Sequence, residues 1–285
     1  MKKFDKIKQE YEAIKAPEEL KSKIADTVKR QNARARLYTR LITGTLSAAA
    51  AFVFAFNFVP GLAYATADIP FLNSIVKVVT FGRYEAKDHG YEAKIVTPKI
   101  EGLLDKQLEN KLNSEFKENA NTIIAAYEKD VKELKKEFGE ETVHMGVNSD
   151  YIVKTDNDDV LALDVYILYT AGSSNTKHTF YNINKKTGEL MSLKGMFKKG
   201  ADYVTPISSY IKGEMQRMNE EEDGLFWVEK TEFDDGFKGI SKNQNFYIND
   251  KGNIVICFDK YEVAAGAQGC PEFEIPNSVV QDILK

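Results

Sequence analysis

The sequence predicts an α+β ectodomain, a long helix packed on antiparallel sheets, preceded by one transmembrane helix and a short all-α cytosolic segment. Three patterns carry this expectation. Leu41 to Val59 is a run of nineteen residues without a charge, which as a helix spans roughly 28 Å, close to a bilayer's hydrocarbon thickness. Leu104, Leu108, Leu112, Phe116, Ile123, Tyr127, Val131, Leu134 and Phe138 keep a three-or-four spacing, the period of one helical face. Beyond that stripe, β-rich runs and helical patterns fall in segregated blocks, which favours α+β over an alternating α/β order.

Charge divides the chain where the apolar run does. The 285 residues carry a net −4, yet residues 1–40 hold twelve Lys/Arg against six acids, a local +6. The other 245 residues therefore carry −10, the whole-chain −4 less the +6. Arg30, Arg34, Arg36 and Arg40 stand just before the apolar run, and Asp68 is the first charge after it. The positive-inside rule then predicts a single-pass cell-membrane protein with residues 1–40 cytosolic and the C-terminal portion extracellular. The competing reading, a buried core helix, does not explain the one-sided charge flank.

Within residues 1–31, Phe4, Ile7, Tyr11 and Ile14 form one apolar stripe, and Leu20, Ile24 and Val28 a second. Pro17 falls at the first turn of the second helix, and basic residues gather at its end, as the helix dipole favours. Two such short helices cannot bury both stripes against each other. Either a cytosolic partner covers them or the segment is a basic tail lying on lipid. After the apolar run comes "FVPGLAYATADIP", in which Ala63-Tyr64-Ala65 is the small-x-small pattern that signal peptidases cut. Pro60 and Gly61 end a membrane helix, which leaves Ala63, Ala65 and Thr66 free to extend into a protease cleft. Cleavage after Ala65 fits best.

The ectodomain elements follow in order. Alternation in "TFGRYEAKDHGYEAKIVTPKI" predicts strands, and 101–138 predicts one helix. Strands are expected near 142–155, 159–171 and 176–184, closed by a turn at Lys185-Lys186-Thr187-Gly188. Residues 202–218 read as a helix with Pro206 in its first turn, and Asn249-Asp250-Lys251-Gly252 as a hairpin turn. A short helix from Asn277 to Leu284, capped by Asn277 or Ser278, closes the chain. The resulting map is 1–40 cytosolic helices, 41–59 transmembrane helix, 60–80 stalk, 81–190 N-terminal ectodomain region and 191–285 C-terminal domain.

Catalytic chemistry finds little support. His89, His144 and His178 sit in unrelated segments, outside any HExxH pattern. Cys257 and Cys270 are too far apart for a CxxC redox or zinc motif; they form either a disulfide or two free, half-buried thiols. No GxSxG, GxGxxG or phosphate-binding GxxxxGK[ST] occurs. Asp156, Asp158 and Asp159 in "TDNDD" read as a solvated turn rather than a cation site. The expectation is a binding protein that is not an enzyme, with no cofactor, no metal and no nucleic-acid partner.

Several stretches together resemble the RsiV family of anti-sigma-V factors of low-GC Gram-positive bacteria. They are "FDKYEVAAGAQGCPEFEIP" (258–276), "FYNINKKTGELMSLKGMF" (180–197), the N-terminal "FDKIKQEYEAIKAPEELKSKI", and the apolar run followed by "IPFLNSIVKVVTF". The resemblance spans essentially the whole chain. It implies that Phe4, Ile7, Tyr11, Ile14, Leu20, Ile24 and Val28 hold an extracytoplasmic-function (ECF) sigma factor, and that the ectodomain senses and inhibits host C-type lysozyme. It also implies release of the sigma factor by signal peptidase and then a site-2 intramembrane protease. "ITGTLSAAAA", the cytosolic half of the span, would be the second cleavage region or a helix-packing face.

An ectodomain at −10 suits a cationic partner, although acidity also serves plain solubility. Tyr261 offers a rigid amphipathic anchor, and Lys260, Ala265 and Gly266 flank it with small or flexible residues. The family often carries Pro where Lys260 stands. Ser173 and Ser174, at a small-residue hairpin tip, are a second candidate contact. Both loops also read as ordinary turns. The competing function is a membrane-anchored cell-wall enzyme, or an accessory domain of one.

Overall fold

A computed structural model describes residues 76–138, 144–230 and 235–285. The expectations for residues 1–75 (the cytosolic stripes, the span 41–59 and the site at Ala63, Ala65 and Thr66) lie outside the described residues. Among the described residues, no helix is long and apolar enough to cross a membrane.

The chain first forms a hairpin of β1 (Lys77–Asp88) and β2 (Tyr91–Glu101). Its turn residues, His89 at φ 39° and Gly90 at φ 95°, both adopt the left-handed region that a tight two-residue hairpin turn requires. β1 thus begins inside the 60–80 segment expected to be stalk. Helix α1 (Lys106–Phe138) follows. It starts later than the predicted 101 because Asp105 caps it, its Oδ1 accepting from the backbone N–H of Gln107 and Leu108 at 2.8 and 3.0 Å. Leu104 consequently falls before the helix and is exposed, while Leu108, Leu112, Phe116, Ile123, Tyr127 and Leu134 are buried as the stripe predicts. Asn113 locks the helix to the end of β2, exchanging two 2.8 Å hydrogen bonds with the Ile100 backbone.

Strands β3 (Met145–Asp156), β4 (Val160–Ala171), β5 (Ser173–Asn184) and β6 (Leu190–Met191) complete a six-stranded sheet in chain order. The expectation of purely antiparallel sheets needs correction. β2 and β3 pair in parallel from Tyr91↔Met145 to Ile95↔Ser149, because α1 carries the chain back across the sheet between them. Every other pair is antiparallel. Leu161, Ala162 and Leu163 of central β4 are fully buried in succession, so this sheet is covered on both faces there.

One cover is α1, where Phe116 meets Tyr181 edge-on at 5.1 Å. The other is the C-terminal half: α2 (Val204–Glu221), then the sheet β7 (Phe246–Ile248), β8 (Ile254–Cys257) and β9 (Glu272–Glu274), and the short α3 (Asn277–Val280). Pro206 is the third residue of α2, where its missing N–H costs nothing. Ile207, Ile211 and Met215 form the buried face of α2 and share a core with Val160 and Ala162 of β4. Residues on either side of position 190 are thus packed into one core. Asn182 of β5 bridges to β7, donating to the Phe246 carbonyl at 2.8 Å and accepting from the Ile248 N–H at 3.1 Å. Thr155 of β3 donates to the Ile248 carbonyl at 2.7 Å. The cap of α3 is Pro276, with no side-chain hydrogen bond, rather than Asn277 or Ser278. The terminal turn is stitched back onto the core, with the Lys285 N–H donating to the Met196 carbonyl and Leu284 bridging Phe197.

A candidate binding surface at the Tyr261 loop

Residues 259–269 connect β8 to β9 as a loop braced at its base. Asp259 accepts from the His178 N–H at 2.9 Å and pairs with Lys177 at 3.0 Å, which ties the loop's start to β5. Glu262 accepts from the Asp259 N–H at 2.7 Å and from Gln244 at 3.0 Å. On the far side, Trp227 N–H donates to the Val263 carbonyl and Ala265 N–H to the Leu225 carbonyl, at 2.9 and 3.0 Å. These paired edges leave the loop's tip little freedom.

Tyr261 stands at that tip with φ 67°, a left-handed backbone that a bulky residue adopts only where its surroundings enforce it. Its ring packs against Gly266: a Cβ there would fall 2.4 to 2.5 Å from the ring's Cε1, Cζ and hydroxyl oxygen. Glycine is thus required at 266 for close approach. The Tyr261 hydroxyl sits 3.0 Å from Ser173 Oγ, and Lys260 Nζ donates to Ser174 Oγ at 2.7 Å. Lys260 Nζ also lies 5.2 Å from the Tyr261 ring centroid, within cation–π range. The two loops that stand apart in sequence are therefore one surface, with Lys260 clamped between them. Of the six contact candidates, Tyr261, Lys260, Ser173, Ser174 and Gly266 converge, and Ala265 is committed through its backbone to Leu225.

Sequence reasoning missed Leu225. It is 47% exposed, its N–H donates to the side-chain carbonyl oxygen of Gln268 at 3.3 Å, and its carbonyl accepts from the Ala265 N–H of the Tyr261 loop at 3.0 Å. An exposed apolar side chain held by hydrogen bonds to a braced loop can be buried by a partner at small entropic cost. The signal was hidden because Leu225 follows the charged "NEEEDG" run.

Cys257 and Cys270 are both free thiols, so the candidate disulfide is not formed; Cys257 is buried within β8 and Cys270 faces His178 instead. The "TDNDD" acids form the β3–β4 turn, in which Asn157 Oδ1 accepts from Asp159 and Val160 N–H, while Asp156 and Asp159 pair with Lys185 and Lys186. Among the described residues, no group of three His, Cys, Asp or Glu is placed to hold a metal ion.

Comparison with known proteins adds to this geometry. Over 99% of its length the chain is 32% identical to anti-sigma-V factor RsiV of Bacillus subtilis strain 168, covering 97% of that protein. The chain belongs to the RsiV family. Residues 84–175 match the family described as deacetylase PdaC, and residues 194–278 the family described as protein of unknown function DUF3298. A crystal structure of a DUF3298 family member from Bacteroides fragilis shares the fold, with a TM-score of 0.53 at 16% identity over 74% of this chain and 94% of that one. A DUF3298 protein from Pseudomonas aeruginosa PAO1 covers the same shares at 15% identity and a TM-score of 0.48.

Proposed function

We propose that this chain is a single-pass membrane anti-sigma factor that senses lysozyme. Residues 1–40 sequester an extracytoplasmic-function sigma factor, and the ectodomain binds a C-type lysozyme through the Tyr261 loop and inhibits it. Binding exposes the bond after Ala65 to signal peptidase, and a site-2 protease then cuts within the membrane and frees the sigma factor. The observation that carries this reading is the near full-length relationship to anti-sigma-V factor RsiV, which includes the N-terminal stripes as well as the ectodomain. The braced, half-exposed Tyr261, held by Ser173 and flanked by Lys260 on Ser174, is the geometry a cleft-filling anchor needs. The test is to purify the full chain in detergent, with and without lysozyme. Retention of a sigma factor that depends on residues 1–31, together with a stoichiometric lysozyme complex of reduced lytic activity, is the expected result. Loss of either half overturns the corresponding half of the proposal.

A second reading has one observation in its favour, the match of residues 84–175 to the family named for deacetylase PdaC. It makes the chain a membrane-anchored cell-wall enzyme or the accessory domain of one. That reading demands deacetylation or cleavage of peptidoglycan by the purified chain, which the first does not.

A further inference from the structure

β6 pairs with β5 only at Asn182 and Ile183, so the outer edge of β5 from Ser173 to Phe180 carries no strand. Asp259, Lys260 and Tyr261 run along that edge in its place. Asp259 takes the His178 N–H at 2.9 Å and the Lys177 ammonium at 3.0 Å. Lys260 donates its backbone N–H to the Thr176 carbonyl at 3.4 Å and its Nζ to Ser174 Oγ at 2.7 Å. Tyr261 reaches Ser173 at 3.0 Å. The contacts descend from 178 to 173 as the loop climbs from 259 to 261, an antiparallel zipper that starts at His178. The His178 carbonyl is engaged too, accepting from Asn245 Nδ2 at 2.9 Å. Asn245 in turn accepts from the Cys257 N–H at 2.8 Å, at the end of the strand that leads into the loop.

The side chain of His178 is locked from within the sheet. Its ring lies between those of Tyr166 and Phe180, each at a centroid distance of 5.9 Å. Its Nδ1 is 3.0 Å from both carboxylate oxygens of Asp164, a side chain only 2% exposed. Strand register explains the meeting: Tyr166 lies opposite His178 and Asp164 opposite Phe180, so Asp164 and His178 are diagonal neighbours on one sheet face. Among the described residues, Asp164 has no other hydrogen-bond or ion-pair partner. An ion pair this deep stabilises a fold poorly compared with apolar side chains of the same volume, so stability alone does not account for it. What the pair fixes is geometry, since two stacked rings and a two-oxygen contact leave the imidazole one orientation. Burial lowers its pKa, but Asp164 foremost outweighs that and lifts the value to about 10. The titratable groups around the ring are Asp164 and Tyr166 from β4, Asp259 from the loop and Cys270 just before β9.

We propose that Asp164 and His178 are positioning residues for the Tyr261 surface: by locking the His178 side chain they hold the β5 edge in the conformation onto which residues 259–261 zip. That this surface binds lysozyme is taken from the function proposed above. Both residues act through the zipper and not by touching the partner. Each half of the pair fails in its own direction when the other is neutralised. Asp164→Asn leaves a buried imidazolium without its carboxylate at low pH, whereas a neutral imidazole beside a neutral amide is compatible at high pH. His178→Gln leaves the Asp164 carboxylate buried without a cation at high pH, whereas its protonated form is tolerated at low pH.

The test uses the full chain in detergent and compares each variant with wild type at about pH 5.5 and about pH 8. Lysozyme affinity is read by calorimetry, and hydrogen–deuterium exchange is read on peptides spanning 173–180 and 259–269. Asp164→Asn should bind about tenfold more weakly than wild type at the lower pH and recover at the higher, and His178→Gln the reverse. A tenfold loss corresponds to a correctly placed loop in about one molecule in ten. Exchange in both peptides should quicken under the same conditions, while a peptide from Leu112 to Ile123 on α1 stays protected and reports an intact fold. The double variant, with no charge left unpaired, should show no pH slope. Affinity within twofold of wild type and unchanged exchange at both pH values overturn the proposal. So does an equal loss at both pH values, or loss of α1 protection in all three variants, since either marks a merely structural pair. Opposite exchange slopes in a chain that binds no lysozyme keep the positioning role and overturn the lysozyme reading instead.

Discussion

The hydroxyl of Tyr261 lies 3.0 Å from Ser173 Oγ, joining residues 88 positions apart. That bond, with Lys260 on Ser174, turns a loop and a hairpin tip into one rigid feature. Because only glycine at 266 leaves room for the Tyr261 ring, Gly266→Ala should displace the ring without touching the core. Both Gly266→Ala and Tyr261→Ala are expected to weaken lysozyme binding by about thirtyfold, the scale of a central anchor, in titration calorimetry on the full chain. Affinity within twofold of wild type for both would place the interface elsewhere.

Asn182 holds the six-stranded sheet and the C-terminal half together from inside. Its side chain satisfies the Phe246 carbonyl and the Ile248 N–H, both on β7. Asn182→Ala leaves two buried backbone groups unpaired and should cost about 3 kcal/mol, read as a lower urea midpoint. A midpoint unchanged within error would mean that water replaces the amide.

Glu115 on α1 is pushed up to about 7, first by burial, with the Tyr181 hydroxyl bond at 2.9 Å opposing the shift. A carboxyl raised when folded binds its proton more tightly in the native state, so stability falls as pH rises from about 4.5 toward 7 and is flat beyond. Glu115→Gln should remove that decline. It should also stabilise the protein at pH 7.5, by an upper bound of about 3 kcal/mol for the full shift. Thermal melts across this pH window for both proteins provide the comparison.

Under the proposed cut after Ala65, Ala65→Trp places a large ring where signal peptidase requires a small side chain. In cells exposed to lysozyme, the ectodomain should remain attached, seen as undiminished full-length chain on an immunoblot. Release at the wild-type rate would put the cut at another bond.

The features of this fold that were legible in sequence are those written in local periodicity. The α1 stripe from Leu108 to Leu134 and the Ile207, Ile211, Met215 face of α2 repeat at the helical period, so each was visible without knowing its partner. The parallel pairing of β2 with β3 was not, because it depends on where a 33-residue helix returns the chain. Asn182 carries no signal of burial in its polar side chain, yet is 1% exposed because β7 covers it. His178 and Asp164 are 14 positions apart on different strands, and only the β4–β5 register brings them together. The candidate site was half-visible: Tyr261 and Ser173 each stand out for their chemistry, but their contact belongs to the fold.

The stitched C-terminal turn has a consequence for timing. Phe273, Ile275 and Val280 fill the core, and Lys285 binds back to Met196. Under the proposed membrane topology, export delivers these residues after the rest of the described fold, so its core stays open until they arrive. If the folded ectodomain shields the bond at Ala65, every newly made molecule passes through an interval of vulnerability. Survival of the uncut receptor then becomes a race between closure of the C-terminal core and the peptidase, and slowing the former alone would switch the system on without any ligand.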